Sequence, residues 1–157
     1  MKTKKYIAMV LALVLVLLTV STVSAKTERT YFSVHEICDW STTQIAREIM
    51  NGQGNYLAKH WTQICYHDNA SIPQMTGSVA IDLNINIVGN GIWKWTGKGH
   101  WVTDEGGVWE TNCVYPWPKD LAHCQGKGEG IYTGYQLFME GAGEDGMWNG
   151  YITFNSR

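Results

Sequence analysis

The sequence predicts an all-β chain, a single antiparallel up-and-down β-barrel of about eight strands. Three observations carry this. First, glycine and aromatic residues interleave at strand spacing. Trp93, Trp95, Gly97, Gly99 and Trp101 share one parity, and Gly126, Gly128, Gly130 and Tyr132 share another. Residues two apart lie on one face of a strand, and small residues alternating with large ones suit the inner wall of a narrow closed barrel. A glycine weakens a strand unless a bend, a bulge or a ring crossing bare backbone requires it. Second, Val79, Ile81, Leu83, Ile85 and Ile87 alternate with Asp82, Asn84 and Asn86, and the hairpin signal Asn90-Gly91 follows. Third, the segments are joined by short turns, with no βαβ crossover pattern.

Taken in order, residues 1–25 read as a secretory leader. Lys2, Lys4 and Lys5 precede the apolar run Ile7 to Val20, and Val23-Ser24-Ala25 supplies small residues for cleavage. The run falls short of the roughly 20 residues that span a bilayer, so no membrane span is expected once the leader is removed. Residues 26–157 then form one domain, exported from the cytoplasm. Thr30 to Ile37 is a first strand. Ser41 and Gln44 suggest a capping box, with Ile45, Ala46 and Ile49 on one helical face and Gly52 as a stop. That predicts one short N-terminal helix, with a structured loop as its alternative. Asn55 to Tyr66 is a second strand and Thr76 to Val88 the clearest. Ile92 to Thr103, Val108 to Tyr115, His123 to Thr133, Tyr135 to Glu140 and Met147 to Asn155 complete the series. The two segments that meet at Gly134 read equally as two strands or as one bent strand.

The chain has 12 Lys and Arg against 14 Asp and Glu; without the three leader lysines the balance is 9 to 14. A mildly acidic surface with no basic cluster argues against nucleic acid and against anionic membranes as partners. The four cysteines, Cys38, Cys65, Cys113 and Cys124, all follow the leader. An even count in an exported chain favours disulfides. Of the three pairings, Cys113–Cys124 is preferred because it closes a proline-containing loop, and Cys38–Cys65 follows. The competing reading is a zinc site from Cys65, His67, His123 and Cys124, but the spacings Cys-x-His and His-Cys are not those of zinc motifs. No metal and no cofactor are expected. Gly126 to Gly130 lacks the Lys-Ser/Thr ending of a phosphate loop and opens no helix. Asn69-Ala70-Ser71 is a glycosylation sequon and marks a surface turn.

The run Met75-Thr76-Gly77, Asn84, Asn86, Gly97-Lys98-Gly99, Gly106-Gly107-Val108-Trp109-Glu110, Gly126 to Gly134 and Gly150-Tyr151-Ile152 resembles secreted microbial proteins of the allene oxide cyclase barrel-like group. These have a calycin-type fold. The resemblance covers roughly Gly77 to Ile152 and rests on glycines and aromatics. It implies the barrel, and a cyclase or isomerase activity on an apolar substrate as one function, but transfers no catalytic residue.

Three functional readings follow. The first is a binding module taking a small apolar ligand at the barrel mouth or in the lumen. Asp82, Asn84 and Asn86 would orient the ligand if the lumen is polar, and would face solvent otherwise. The second is a barrel enzyme using Glu110 or Glu129, carboxylates in glycine- and aromatic-rich strands, as a buried acid–base group. Glu105 and Glu140 read as surface residues. No Gly-x-Ser-x-Gly nucleophile elbow occurs, and five histidines are scattered. The third is glycan or surface recognition by exposed aromatics. Most of the eight tryptophans are expected in the core, but Trp117, between Pro116 and Pro118, is the best contact candidate, with Tyr115 beside it.

Overall fold

Where apolar and polar residues alternate, strands form and pair in sequence order. The computed structural model describes residues 28–89, 91–116, 121–142 and 146–154. The expected leader, Asn90 and Trp117 lie outside the described residues. The strands are β1 Arg29–Met50, β2 Tyr56–Asp68, β3 Gly77–Val88, β4 Ile92–Thr103, β5 Val108–Pro116, β6 Ala122–Glu129, β7 Tyr135–Ala142 and β8 Met147–Phe154. Each pairs antiparallel with its neighbours in the chain, and β1 pairs with β8, so the sheet closes into a barrel.

β1 is long because it closes the ring. Its Arg29–His35 part pairs with β8, and from His35 onward it pairs with β2. Paired residues followed round the wall from Phe32 run through Gly150, Met139, Cys124, Cys113, Gly97, Leu83 and Trp61 and return to β1 at Ile45. This stagger is the strand tilt that closure demands. It leaves the β1–β2 and β3–β4 hairpins reaching past the ends of β6, β7 and β8 on one side of the mouth.

The expected helix is absent, and Ser41 to Met50 continues as strand. The capping chemistry is present but serves a bulge. Asp39 Oδ1 accepts from the Ser41 backbone N–H at 2.9 Å and from its hydroxyl at 2.6 Å, and the Thr42 hydroxyl donates to the Asp39 carbonyl. The register with β2 shifts there, between Asp39 and Gln44. Short polar side chains that cap helices also satisfy a bulge, and pairing along β2 overrides weak local propensity.

The inner wall follows the expected parity. Trp101 and Trp109 are fully buried, with Trp148, Leu137, Met139, Phe32 and Val34 around them. Trp40 and Trp93 are exposed instead. Gly97 is needed for close approach: a Cβ there would press on Leu83 and lie 2.8 Å from the Asp82 carbonyl oxygen. The segments meeting near Gly134 are two strands, separated by a 3-10 turn at Gly130–Tyr132 with positive φ at Gly130 and Gly134. Outside, Asp82, Lys98, Asn112 and Gln125 are cross-strand neighbours. A lipid-facing barrel carries an apolar band at such a position.

Candidate functional site in the lumen

Both disulfides lie on the inner wall as cross-strand pairs: Cys38–Cys65 joins β1 to β2, with Cα atoms 3.9 Å apart, and Cys113–Cys124 joins β5 to β6, with Cα atoms 4.1 Å apart. The second is therefore a ladder pair as well as a loop closure. The alternative zinc set does not assemble. Its cysteines are oxidised, His67 faces inward, and His123 sits outside against Glu140 at 3.2 Å. Glu36, Cys38 and Cys65 do cluster, but the two sulfurs are bonded to each other and offer no thiolate.

The parity that buries Cys38 and Cys65 also buries the residues two positions away. Glu36 pairs with His67 across β1 and β2, and His67 Nε2 lies 2.8 Å from Glu36 Oε2. The His67 side chain is 1% exposed, and its ring meets Trp101 edge to face at 4.1 Å. With Nε2–H donating to Glu36, a neutral ring keeps a lone pair at Nδ1, and a protonated ring has a second N–H there. His67 Nδ1, Trp101 Nε1 and the neighbouring inner-face Gln63 Nε2 are sealed from solvent and have no hydrogen-bond partner among the described residues. Buried polar atoms without partners are uncommon and call for one.

Beside this group the lumen holds a cavity of about 100 Å³, lined by Glu36, His67, Trp101, Trp148, Leu83 and Trp95 among others. The indoles and Met139 occupy most of the lumen, which leaves little room there for the apolar ligand expected at the mouth or in the lumen. The remaining space matches about three water molecules or one small polar group. Towards the mouth the inner face continues with Ile85, Ile87, Trp93, Trp95 and Tyr115. Tyr115 stacks on Trp95, with centroids 6.1 Å apart and planes 8° apart, and lies 6.0 Å from Trp93. These side chains continue the apolar inner face from Leu83 and Trp95, which line the cavity.

The other expected site residues lie elsewhere. Glu110 is on the outer wall, hydrogen-bonded to His100 and 45% exposed, and Glu129 is exposed at the end of β6. Neither is the buried acid–base group the sequence suggested, because both fall on the outward parity of their strands. Asp82, Asn84 and Asn86 also face outward, with Asp82 bound to His60 at 3.0 Å. The opposite parity of the same strand is apolar, with Val79 and Ile85 buried and Ile81, Leu83 and Ile87 half-buried, so the polar stripe lies on the outer face. Of these candidates only Tyr115 reaches the inner face. Asn69 is exposed at its turn, with φ 49°. Glu36 and His67 were not singled out as a pair, although one signal could have found them: each lies two residues from a cysteine of the same disulfide. No protein-family model, curated protein or solved structure matches the chain.

Proposed function

We propose that this is an exported binding module for a small amphiphile. The apolar body of the ligand lies along the inner-face side chains Ile85, Ile87, Trp93, Trp95 and Tyr115. Its hydrogen-bonding end enters the cavity at Glu36 and His67. One observation carries this reading: two ring nitrogens, His67 Nδ1 and Trp101 Nε1, lie shielded and without a partner among the described residues, on side chains that line the space left in the lumen. A few convergent polar groups at the end of an apolar cleft are the usual pattern of a small-molecule site. The two disulfides, and the absence among the described residues of a helix long and apolar enough to cross a membrane, are compatible with export. The resemblance to allene oxide cyclase-like barrels supports the architecture of the reading, not its chemistry.

Titration with a series of straight-chain alcohols and carboxylic acids tests it, followed by indole fluorescence. Saturable quenching in the wild type, weakened in Glu36→Gln and in His67→Phe, is the expected result. Absence of a saturable change across the series would overturn the reading. The cyclase-or-isomerase alternative passes from Glu110 and Glu129 to the Glu36–His67 pair, since hydrogen-bonded carboxylate and imidazole groups suit proton transfer. Conversion of a bound amphiphile by the wild type but not by Glu36→Gln would establish that alternative.

A further inference from the structure

A second cleft lies on the outside of the wall, where β6, β7, β8 and β1 run side by side. It encloses about 590 Å³. Two rows of outward side chains form its rims. Tyr31 faces Tyr151, Tyr151 faces Phe138, and Phe138 faces Gln125, along one rim. Asn149 faces Glu140, and Glu140 faces His123, along the other. The rims are two residues apart on each strand, about 7 Å. Phe32, Gly150, Met139 and Cys124 lie between them with inward parity, so they present main chain to the cleft.

We propose that this cleft is a saccharide-binding groove. One rim carries three aromatic rings and ends at Gln125, and the other carries only hydrogen-bonding groups, which matches the division a pyranose ring has between its C–H faces and its equatorial hydroxyls. The spacing admits one such ring. The aromatic rim is ordered in advance: Phe138 stacks on Tyr151 at 5.1 Å, Tyr31 meets Tyr151 at 5.8 Å, and the Arg29 guanidinium sits 4.5 Å from the Tyr151 ring centroid. Rings already held lose little entropy on contact, and Tyr31, 67% exposed, is the accessible end of the row. On the polar rim His123 Nδ1 is 3.2 Å from Glu140 Oε1, and Asn149 offers both donor and acceptor.

Other occupants fit less well. The Glu140 carboxylate opposes a phosphate-bearing ligand. The strands here are paired on both sides, so an extended peptide finds no free edge to join. A lipid chain gains nothing from a rim of carboxylate, imidazole and carboxamide. The groove is on the opposite face of the sheet from the lumen and does not depend on the luminal reading. Of the two residues to which the sequence assigned glycan recognition, Tyr115 faces inward, while Trp117 lies outside the described residues.

The test is an array of neutral β-glucan, mannan and chitin oligosaccharides, followed by titration of the wild type and variants with the strongest printed sugar. At least one class should bind. Tyr31→Ser combined with Phe138→Ser should weaken that binding about tenfold or more, and Glu140→Gln or Asn149→Ala should weaken it by less. Tyr31→Phe should keep it. The luminal variant Glu36→Gln should leave sugar affinity unchanged while losing amphiphile binding, which separates the two sites. If the double variant does not fold, Tyr31→Ser alone decides, since that side chain stands in solvent. Absence of binding to every class, or equal affinity in the rim variants, would overturn the proposal.

Discussion

At position 132 a tyrosine covers two glycines. Its ring lies over Gly107, where a Cβ would come 2.6 Å from the ring's Cζ, and its own backbone crosses Gly128. The ring stacks on the buried Trp109 at 4.9 Å, and the hydroxyl donates to Glu105 at 3.0 Å and lies 3.1 Å from the Thr103 hydroxyl. Burial raises the phenol above its ordinary value of 10.0; the bond to Thr103 opposes this, and the bond and charge of Glu105 add to it. A raised folded-state value means that the neutral form belongs to the native state. The stabilisation is therefore complete below about pH 10 and is lost as pH rises through the raised value. Alkaline unfolding followed by circular dichroism should begin earlier in the wild type than in Tyr132→Phe, relative to each protein's stability at pH 8. Equal pH dependence would refute the assignment. The Glu36–His67 pair makes a second residue-level prediction. Glu36→Leu leaves a buried imidazole nitrogen without its partner, and should cost about 1–3 kcal/mol in urea unfolding, whereas Glu36→Gln should cost less.

Among the elements, β4 depends most on small residues. A methyl group at Gly97 meets a backbone oxygen that cannot swing aside as a side chain would, and one at Gly99 comes 2.6 Å from the Thr111 hydroxyl. Gly97→Ala should destabilise by about 1–3 kcal/mol, as overpacking does. Gly52→Ala is the control: nothing lies within 4 Å of its Cβ position. It should change stability by no more than about 0.5 kcal/mol. In β1 the bulge is held by Asp39, whose carboxyl is kept below its ordinary 3.8 by the hydrogen bonds from the Ser41 side chain and backbone. This element also shows where sequence reading failed. Ser41, Gln44, Ile45 and Ile49 carry a helical spacing, yet the segment pairs with Leu57 to Thr62 across the hairpin at 51–55. Pairing with the neighbouring strand overrides a weak helical pattern. By contrast β3 and β4 were legible almost to the residue, because strict alternation leaves one choice of face.

For the molecule as a whole, the two disulfides clamp neighbouring strands at different parts of the ring. Cys38 and Cys65 are separated by 27 positions and Cys113 and Cys124 by 11. Each bond should contribute about 2–4 kcal/mol, and the loop-length dependence makes the first worth about 0.8 kcal/mol more than the second. Thermal unfolding of Cys38→Ser/Cys65→Ser and of Cys113→Ser/Cys124→Ser should rank them in that order; the reverse order would show that native packing, rather than the unfolded chain, sets the difference. By itself the sequence determined the strand class, the up-and-down order and the inward parity of Trp101 and Gly97, while among three cysteine pairings it gave only a preference. All of these follow from period-two alternation and from turns that act over a few residues. Tertiary structure alone decided that Glu36 meets His67, that Glu110, Glu129 and the Asp82 stripe face outward, and that Tyr31, Tyr151 and Phe138 form one row. Those outcomes depend on the register between strands and on the stagger at which β1 closes the ring, and register is set by the summed packing of the whole wall.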